Sequence, residues 1–124
     1  MVRTYKKVRY PSKRKHGLTP AEEFQVAEDA LKIIEGRWKL RILVHLRERT
    51  VMRFSDLERA IPSVTQKMLI QQLRELERDG AVRRKAYAEV PPRVEYTLTP
   101  WGQDLCPALD ALRTWATRKS RYNE

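Results

Sequence analysis

Residues 65–99 read TQKMLIQQLRELERDGAVRRKAYAEVPPRVEYTLT, and their hydrophobic period switches once, at Gly80. Before the glycine, Met68, Leu69, Leu73 and Leu76 fall on one helical stripe behind Thr65, a residue suited to cap a helix. That stripe leaves Gln66, Lys67, Ile70, Gln71, Arg74 and Arg78 at its margin or outside it. After the glycine, residues 82–87 read as one strand. In its partner Val94, Tyr96 and Leu98 alternate with polar residues, as a half-buried strand requires. Pro91 and Pro92 near the tip stiffen the return and deny edge pairing. Thr99-Pro100 then opens another helix. The segment is thus a helix over about 65–79, a basic hairpin over about 81–98, and a second capped helix.

The flanks complete the pattern. Thr19-Pro20 with Glu22 and Glu23 starts a helix over about 20–35, on which Phe24, Ala27, Leu31 and Ile34 share a face. A second helix, Arg37 to about Arg49, carries Trp38, Ile42, Leu43, His45 and Leu46 on a broad apolar side, with Arg37, Lys39, Arg41 and Arg47 on the other. Arg53-Phe54 reads as a short extended piece. Ser55 can cap a short helix from Asp56 to about Ile61, and Pro62-Ser63-Val64 form a turn into the helix from Thr65. Leu105, Leu109, Leu112 and Ala116 make the stripe of the last helix. Two helices joined by that tight turn form a helix-turn-helix, and the hairpin behind it supplies a wing. The expected fold is mainly α with a small β-hairpin (α+β), a winged helix-turn-helix with extra N- and C-terminal helices. Residues 1–17 read as a basic flexible tail, 18–119 as the winged domain and 120–124 as a C-terminal tail.

A chain of 124 residues suits one such domain, and its formal charge of +10 is unevenly spread. Residues 1–16 hold seven Lys or Arg and no acid, while residues 17–36 hold five acids and one Lys. Residues 37–93 hold fourteen bases against seven acids, and residues 94–124 balance at four each. A basic block inside a folded pattern suits a polyanion, most often nucleic acid; the plainer reading is a solvated basic face. There is no membrane-spanning run and no signal-peptide core, and the lone Cys106 cannot form an internal disulfide. These features point to a cytoplasmic protein.

The helix from Thr65 is roughly 22 Å long, and a major groove about 12 Å wide accepts such a rod. Gln bonds adenine edges in a bidentate fashion, and Arg and Lys bond guanine, so Gln66, Lys67 and Gln71 are the best base-readers. Gln72 and Arg74 reach the same surface or a phosphate, and Thr65 reaches phosphate from the helix start. In the hairpin, Arg84 faces opposite to Arg83 and Lys85. Lys85 and Arg93, nearer the tip, are the expected backbone contacts. Glu75, Glu77 and Asp79 read as a solvated face pairing with Arg74 and Arg78. His16 and His45 offer no metal spacing with the single cysteine, and His45 reads as a packed core residue. No nucleophile-base-acid set and no Gly-rich phosphate loop is visible, so neither an enzyme nor a metal or other cofactor is expected. Trp38, Trp101 and Trp115 suit core and interface packing, or the lining of a ligand pocket between subunits.

IEGRWKLRILVHL, RFSDLERAIPSVTQKMLIQQLRELERDGAVRR and EVPPRVEYTLTPWGQDLCPALDAL carry the patterns IxGxW, RFxxL, KxLxxxLxxLExDGxxxR and PPxVEYxLT. From about Glu23 to Arg118 the sequence resembles the HxlR family of winged-helix transcription regulators. The resemblance implies a homodimer on a pseudo-palindromic double-stranded DNA operator, with the helix from Thr65 as recognition helix and the hairpin as wing. It also implies dimer contacts through the end helices, here Phe24, Ala27 and Leu31 with Leu105, Leu109 and Leu112. Many members carry a sensor cysteine in the first helix, where this chain has Gln25, and glutamine cannot act as a thiolate. Cys106, beside the apolar stripe of the last helix, reads as a buried small hydrophobe. Two other functions fit the sequence: a sequence-neutral nucleic-acid packaging protein driven by the tail, and a regulator gated by a small-molecule effector.

Overall fold

The computed structural model describes residues 17–122, so the basic tail over residues 1–16 and its His16 lie outside the described residues. The contacts divide the chain into two compact units, the residues up to Lys32 and those from Ile33 onward. The first helix, α1 (Pro20–Ile34), begins with a reciprocal cap. The Glu22 amide donates to Thr19 Oγ1 at 3.2 Å, and the Thr19 amide donates to the Glu22 carboxylate at 3.4 Å. None of its residues is buried.

From Ile33 onward the order is α2 (Lys39–Arg49), β1 (Val51–Arg53), α3 (Phe54–Ala60), α4 (Gln66–Arg78), β2 (Val82–Tyr87), β3 (Arg93–Leu98) and α5 (Pro100–Thr117), closed by a 3-10 turn, Arg118–Arg121. The expected tail over 120–124 thus begins inside that turn. The sheet has three strands, not the two of the expected hairpin. β1 pairs antiparallel with β3, Met52 opposite Tyr96, and the order is β1-β3-β2. The extended piece therefore runs over Val51–Arg53, starting two residues before the expected Arg53-Phe54 and ending one residue before it. Tyr96 opposite Met52 explains the shift, because that pairing buries both residues on the core side of the sheet. Helix α3 then starts at Phe54. Its first turn is tied by Asp56, whose carboxylate accepts from the Arg53 amide at 2.9 Å, and Ser55 lies within the helix instead of capping it.

One core gathers Ile42, Leu43 and Leu46 of α2, Met52 of β1, Leu57 of α3, Ile61 just after it, Leu69, Leu73 and Leu76 of α4, then Ala81, Val82 of β2 and Tyr96 of β3. The end of α4 is built for a sharp exit. Gly80 has φ +83, its amide donates to Glu77 O, and the Ala81 amide reaches back to Leu76 O at 3.0 Å. Thr99 caps α5 by accepting from the Gly102 amide, and its own amide donates to Ala81 O at 3.1 Å. Gly102 is buried directly against the Ala81 carbonyl, with no room for a Cβ.

Gly102→Ala must therefore push α5 away from a backbone group that cannot rotate aside. Loss of about 3 kcal/mol in urea unfolding is expected, whereas Gln103→Ala, one residue along and exposed, should stay within about 0.5 kcal/mol of the parent.

Candidate functional site

Burial sorts the residues of α4 into two sides. Leu69, Leu73 and Leu76 are buried at 0–1% exposure, whereas Gln66, Lys67, Gln71, Arg74 and Arg78 are exposed. Thr65 Oγ1 accepts from the Met68 amide at 3.1 Å and so anchors the helix start. A hydroxyl that accepts one bond keeps its proton free to donate, so Thr65 can serve as cap and phosphate ligand together.

The flank facing α2 departs from the expected pattern. Lys39, placed by periodicity on the solvent side of α2, is buried at 6% exposure, and its Nζ lies 3.3 Å from Glu75 Oε1. Glu75 consequently joins no solvated acidic face. Its second oxygen accepts from Gln72 Nε2 at 3.2 Å, and that amide also lies 3.6 Å from Met68 Sδ. Gln72 is half-buried and engaged with its own helix, while Gln66 and Gln71 are exposed. The expected Arg78–Asp79 pair is present at 3.6 Å.

On the wing, the register Arg83↔Thr97, Lys85↔Glu95 and Tyr87↔Arg93 puts those residues on one face. Arg93 stacks over Tyr87, its guanidinium 3.9 Å from the ring centre, between Glu89 at 3.2 Å and Glu95 at 3.7 Å. Lys85 also stands over Tyr87, at 4.9 Å. Arg84 shares the opposite face with Tyr96 and lines a recess of about 450 Å³ with Ile70, Leu73, Arg74, Glu77 and Tyr96. Strand alternation separates Arg84 from its neighbours, but only the packing of the sheet on α4 reveals that it turns toward that helix. A second cation unmarked by the sequence is Arg53, which lines a hollow at the wing with Phe54, Ser55, Pro92, Arg93 and Val94.

Charge pairing then separates structural from available cations. Among the described residues Lys39, Arg47, Arg59, Arg78 and Arg93 each have an acid within 4.0 Å. Arg37 and Arg41 lie over the half-buried Trp38. Among the described residues no ion pair within 4.0 Å involves Lys67 and Arg74 on α4 or Arg83, Arg84 and Lys85 on β2, and the same holds for Arg49, Arg53 and the 3-10 turn's Arg118, Lys119 and Arg121. The α4 and β2 cations are the ones that flank the exposed glutamines of α4. Their charge is therefore open to an external anion.

The remaining candidates fall elsewhere. His45 is half-buried in α2. Cys106 is half-buried, not fully buried, and lines a hollow with Leu46, Arg47, Thr50, Thr97, Leu98 and Gln103. Arg47 makes a two-pronged contact with Asp110, both bonds 2.8 Å, which ties α2 to α5. That hydrogen bond lowers the Asp110 pKa and raises that of Arg47. The Asp56 pKa is lowered chiefly by the hydrogen bond from the Arg53 amide. Of the expected dimer residues, Phe24, Ala27, Leu31 and Leu112 are exposed, and Leu105 and Leu109 are half-buried, Leu105 against the core. Trp101 and Trp115 are exposed as well. Gln25 donates to Asp29 at 2.9 Å along α1. No cluster of three or more His, Cys, Asp or Glu able to hold a metal occurs among the described residues, nor any helix long and apolar enough to cross a membrane.

Comparison with known proteins agrees with this geometry. The family described as HxlR-like helix-turn-helix matches residues 33–124. YtcD of Bacillus subtilis, an HTH-type transcriptional regulator, is 50% identical over 88 residues, which span 71% of this chain and 69% of YtcD. A chain from Enterococcus faecalis V583, described as a MarR-family transcriptional regulator, superposes with a TM-score of 0.76 at 36% identity, covering 89% of this chain and 96% of its own. The reduced form of the redox regulator HypR superposes with a TM-score of 0.70 at 41% identity, covering 79% and 94%.

The flank of α4 makes an asymmetric prediction. Glu75→Leu strands the buried Lys39 ammonium and should cost about 3 kcal/mol in urea unfolding. Lys39→Met leaves a Glu75 that still reaches water and Gln72, and should cost roughly 1 kcal/mol or less.

Proposed function

This chain belongs to the HxlR-like helix-turn-helix family, and from that membership we propose that it regulates transcription as a homodimer on a pseudo-palindromic DNA operator. The observation that carries the reading is the set of acid-free cations on α4 and β2 beside the exposed glutamines of α4. In the proposed complex α4 enters the major groove. Gln66, Lys67 and Gln71 meet base edges, and Arg74 meets a base or a flanking phosphate. Thr65 holds a phosphate at the positive end of the helix. Gln72 acts from the flank, where its bond to Glu75 orients it. Arg83, Arg84 and Lys85 of the wing take the backbone, and Arg93 adds charge while its stacking on Tyr87 keeps the hairpin in shape.

A helix-turn-helix monomer reads only one half-site, and two-fold symmetry doubles the contact. Support for a dimer lies in apolar side chains that are exposed among the described residues: Phe24, 68% exposed, and Leu31 on α1, and Leu112 and Trp115, the latter 72% exposed, on α5. Effector control through a first-helix thiolate is not part of the proposal, because Gln25 has no ionisable sulfur.

Selection of binding sites from random duplex DNA tests the class directly. The expected result is a two-fold consensus with half-sites roughly 34 Å apart, one helical turn; enrichment of no sequence would overturn the reading. On the selected site, Gln71→Ala should relax preference at one position per half-site. Lys85→Ala should weaken matched and scrambled duplexes alike and reduce the salt slope by about two, one for each protomer. Trp115→Glu combined with Leu112→Glu should shift the protein from dimer to monomer in sedimentation, with far-ultraviolet circular dichroism unchanged.

A further inference from the structure

One residue of α4 breaks the division between its two sides. Ile70 follows the fully buried Leu69, yet 36% of it is exposed. It lies among Gln66, Lys67, Gln71 and Arg74, each within four residues along the helix. The hollow along Lys67, Gln71, Arg74, Glu75 and Arg78 and the recess facing Arg84 and Tyr96 both have Ile70 in their walls. It therefore forms an apolar point on the ridge between them, inside a surface otherwise made for polar partners.

We propose that Ile70 reads the C5 methyl group of a thymine in each half-site. The inference rests on the DNA-binding reading above and adds a named base feature to it. The base edges in the major groove otherwise present hydrogen-bonding nitrogen and oxygen atoms, and thymine's methyl is the apolar group among them. An isoleucine pressed against a polar edge removes water from that edge and returns no hydrogen bond, so it disfavours the other bases as well as favouring thymine. Ile is also stiff: β-branching leaves it one strongly preferred χ1 rotamer in a helix, so little freedom is lost on contact. Gln71 and Arg74 beside it supply the hydrogen bonds that fix the register, and Ile70 supplies discrimination that those groups cannot.

The test uses the full chain and the duplex recovered by site selection. Each thymine of the half-site is replaced in turn by deoxyuridine, which removes the methyl and keeps every hydrogen-bonding group, and Kd is measured by fluorescence anisotropy. At one position the parent should lose about fourfold with one half-site substituted and about fifteenfold with both. Ile70→Ala should bind thymine and uracil equally at that position, and Ile70→Val should fall between. All three proteins should melt within a few degrees of one another, since the side chain packs only in part. Identical uracil profiles for the parent and Ile70→Ala, or a parent indifferent to every replacement, would overturn the inference while leaving the regulator reading intact. So would a consensus without thymine in the half-site. Failure of the selection to enrich any sequence would instead overturn the underlying reading.

Discussion

At Ala81 the amide donates to Leu76 O, the carbonyl accepts from the Thr99 amide, and the same carbonyl fills the space where Gly102 would carry a Cβ. The Thr99 hydroxyl adds a bond to Gly80 O. The exit of α4, the entry of β2, the exit of β3 and the entry of α5 are thus joined around one short stretch of backbone. Val82 opposite Leu98 begins the hairpin register from this point, so the wing inherits its position from the node and the two elements expected to meet DNA are set relative to each other by it. A left-handed glycine at 80 sets the turn, and a missing side chain at 102 is required for the approach.

The outward face of α4 follows from what the core takes away. Burial of Leu69, Leu73 and Leu76 orients α4, and the pair of buried Lys39 with half-buried Glu75 guards the flank nearest α2. A buried ion pair is weak evidence for stability, because desolvation offsets much of its attraction. Its effect here is directional. Lys39 Nζ meets Glu75 at one rotation of α4 about its axis, and that rotation presents Gln66, Lys67, Ile70, Gln71 and Arg74 outward. The same pair removes one acid from the outer face, where it would repel phosphate. On the wing, Arg93 likewise neutralises Glu89 and Glu95, leaving Arg83, Arg84 and Lys85 uncompensated.

Similarity to HypR, a redox regulator, raises the question of a sensor. The position expected to carry the sensing thiol holds Gln25, already bonded to Asp29, and Cys106 sits half-buried in α5 near Arg47. Arg47 itself is committed to Asp110 through two short bonds. The helix-turn-helix of the family is thus present in this chain, while the first-helix position where the resemblance places a thiol holds a glutamine.

Sequence alone determined the order and character of most elements, because helix period, caps and strand alternation are local properties. Thr19, Thr65, Thr99 and Gly80 mark their boundaries by chemistry within a few residues. It also determined that the segment from Thr65 pairs a polar helix face with a basic hairpin. Packing between distant segments decided the rest. The pairing of β1 with β3 depends on Met52 meeting Tyr96 far along the chain. That Lys39 is buried, that Glu75 serves it, and that Arg84 turns toward α4 depend on neighbours supplied by other elements. Period places a residue on a face of its own helix or strand. Only the fold decides what stands opposite that face, and desolvation and charge pairing are properties of that encounter.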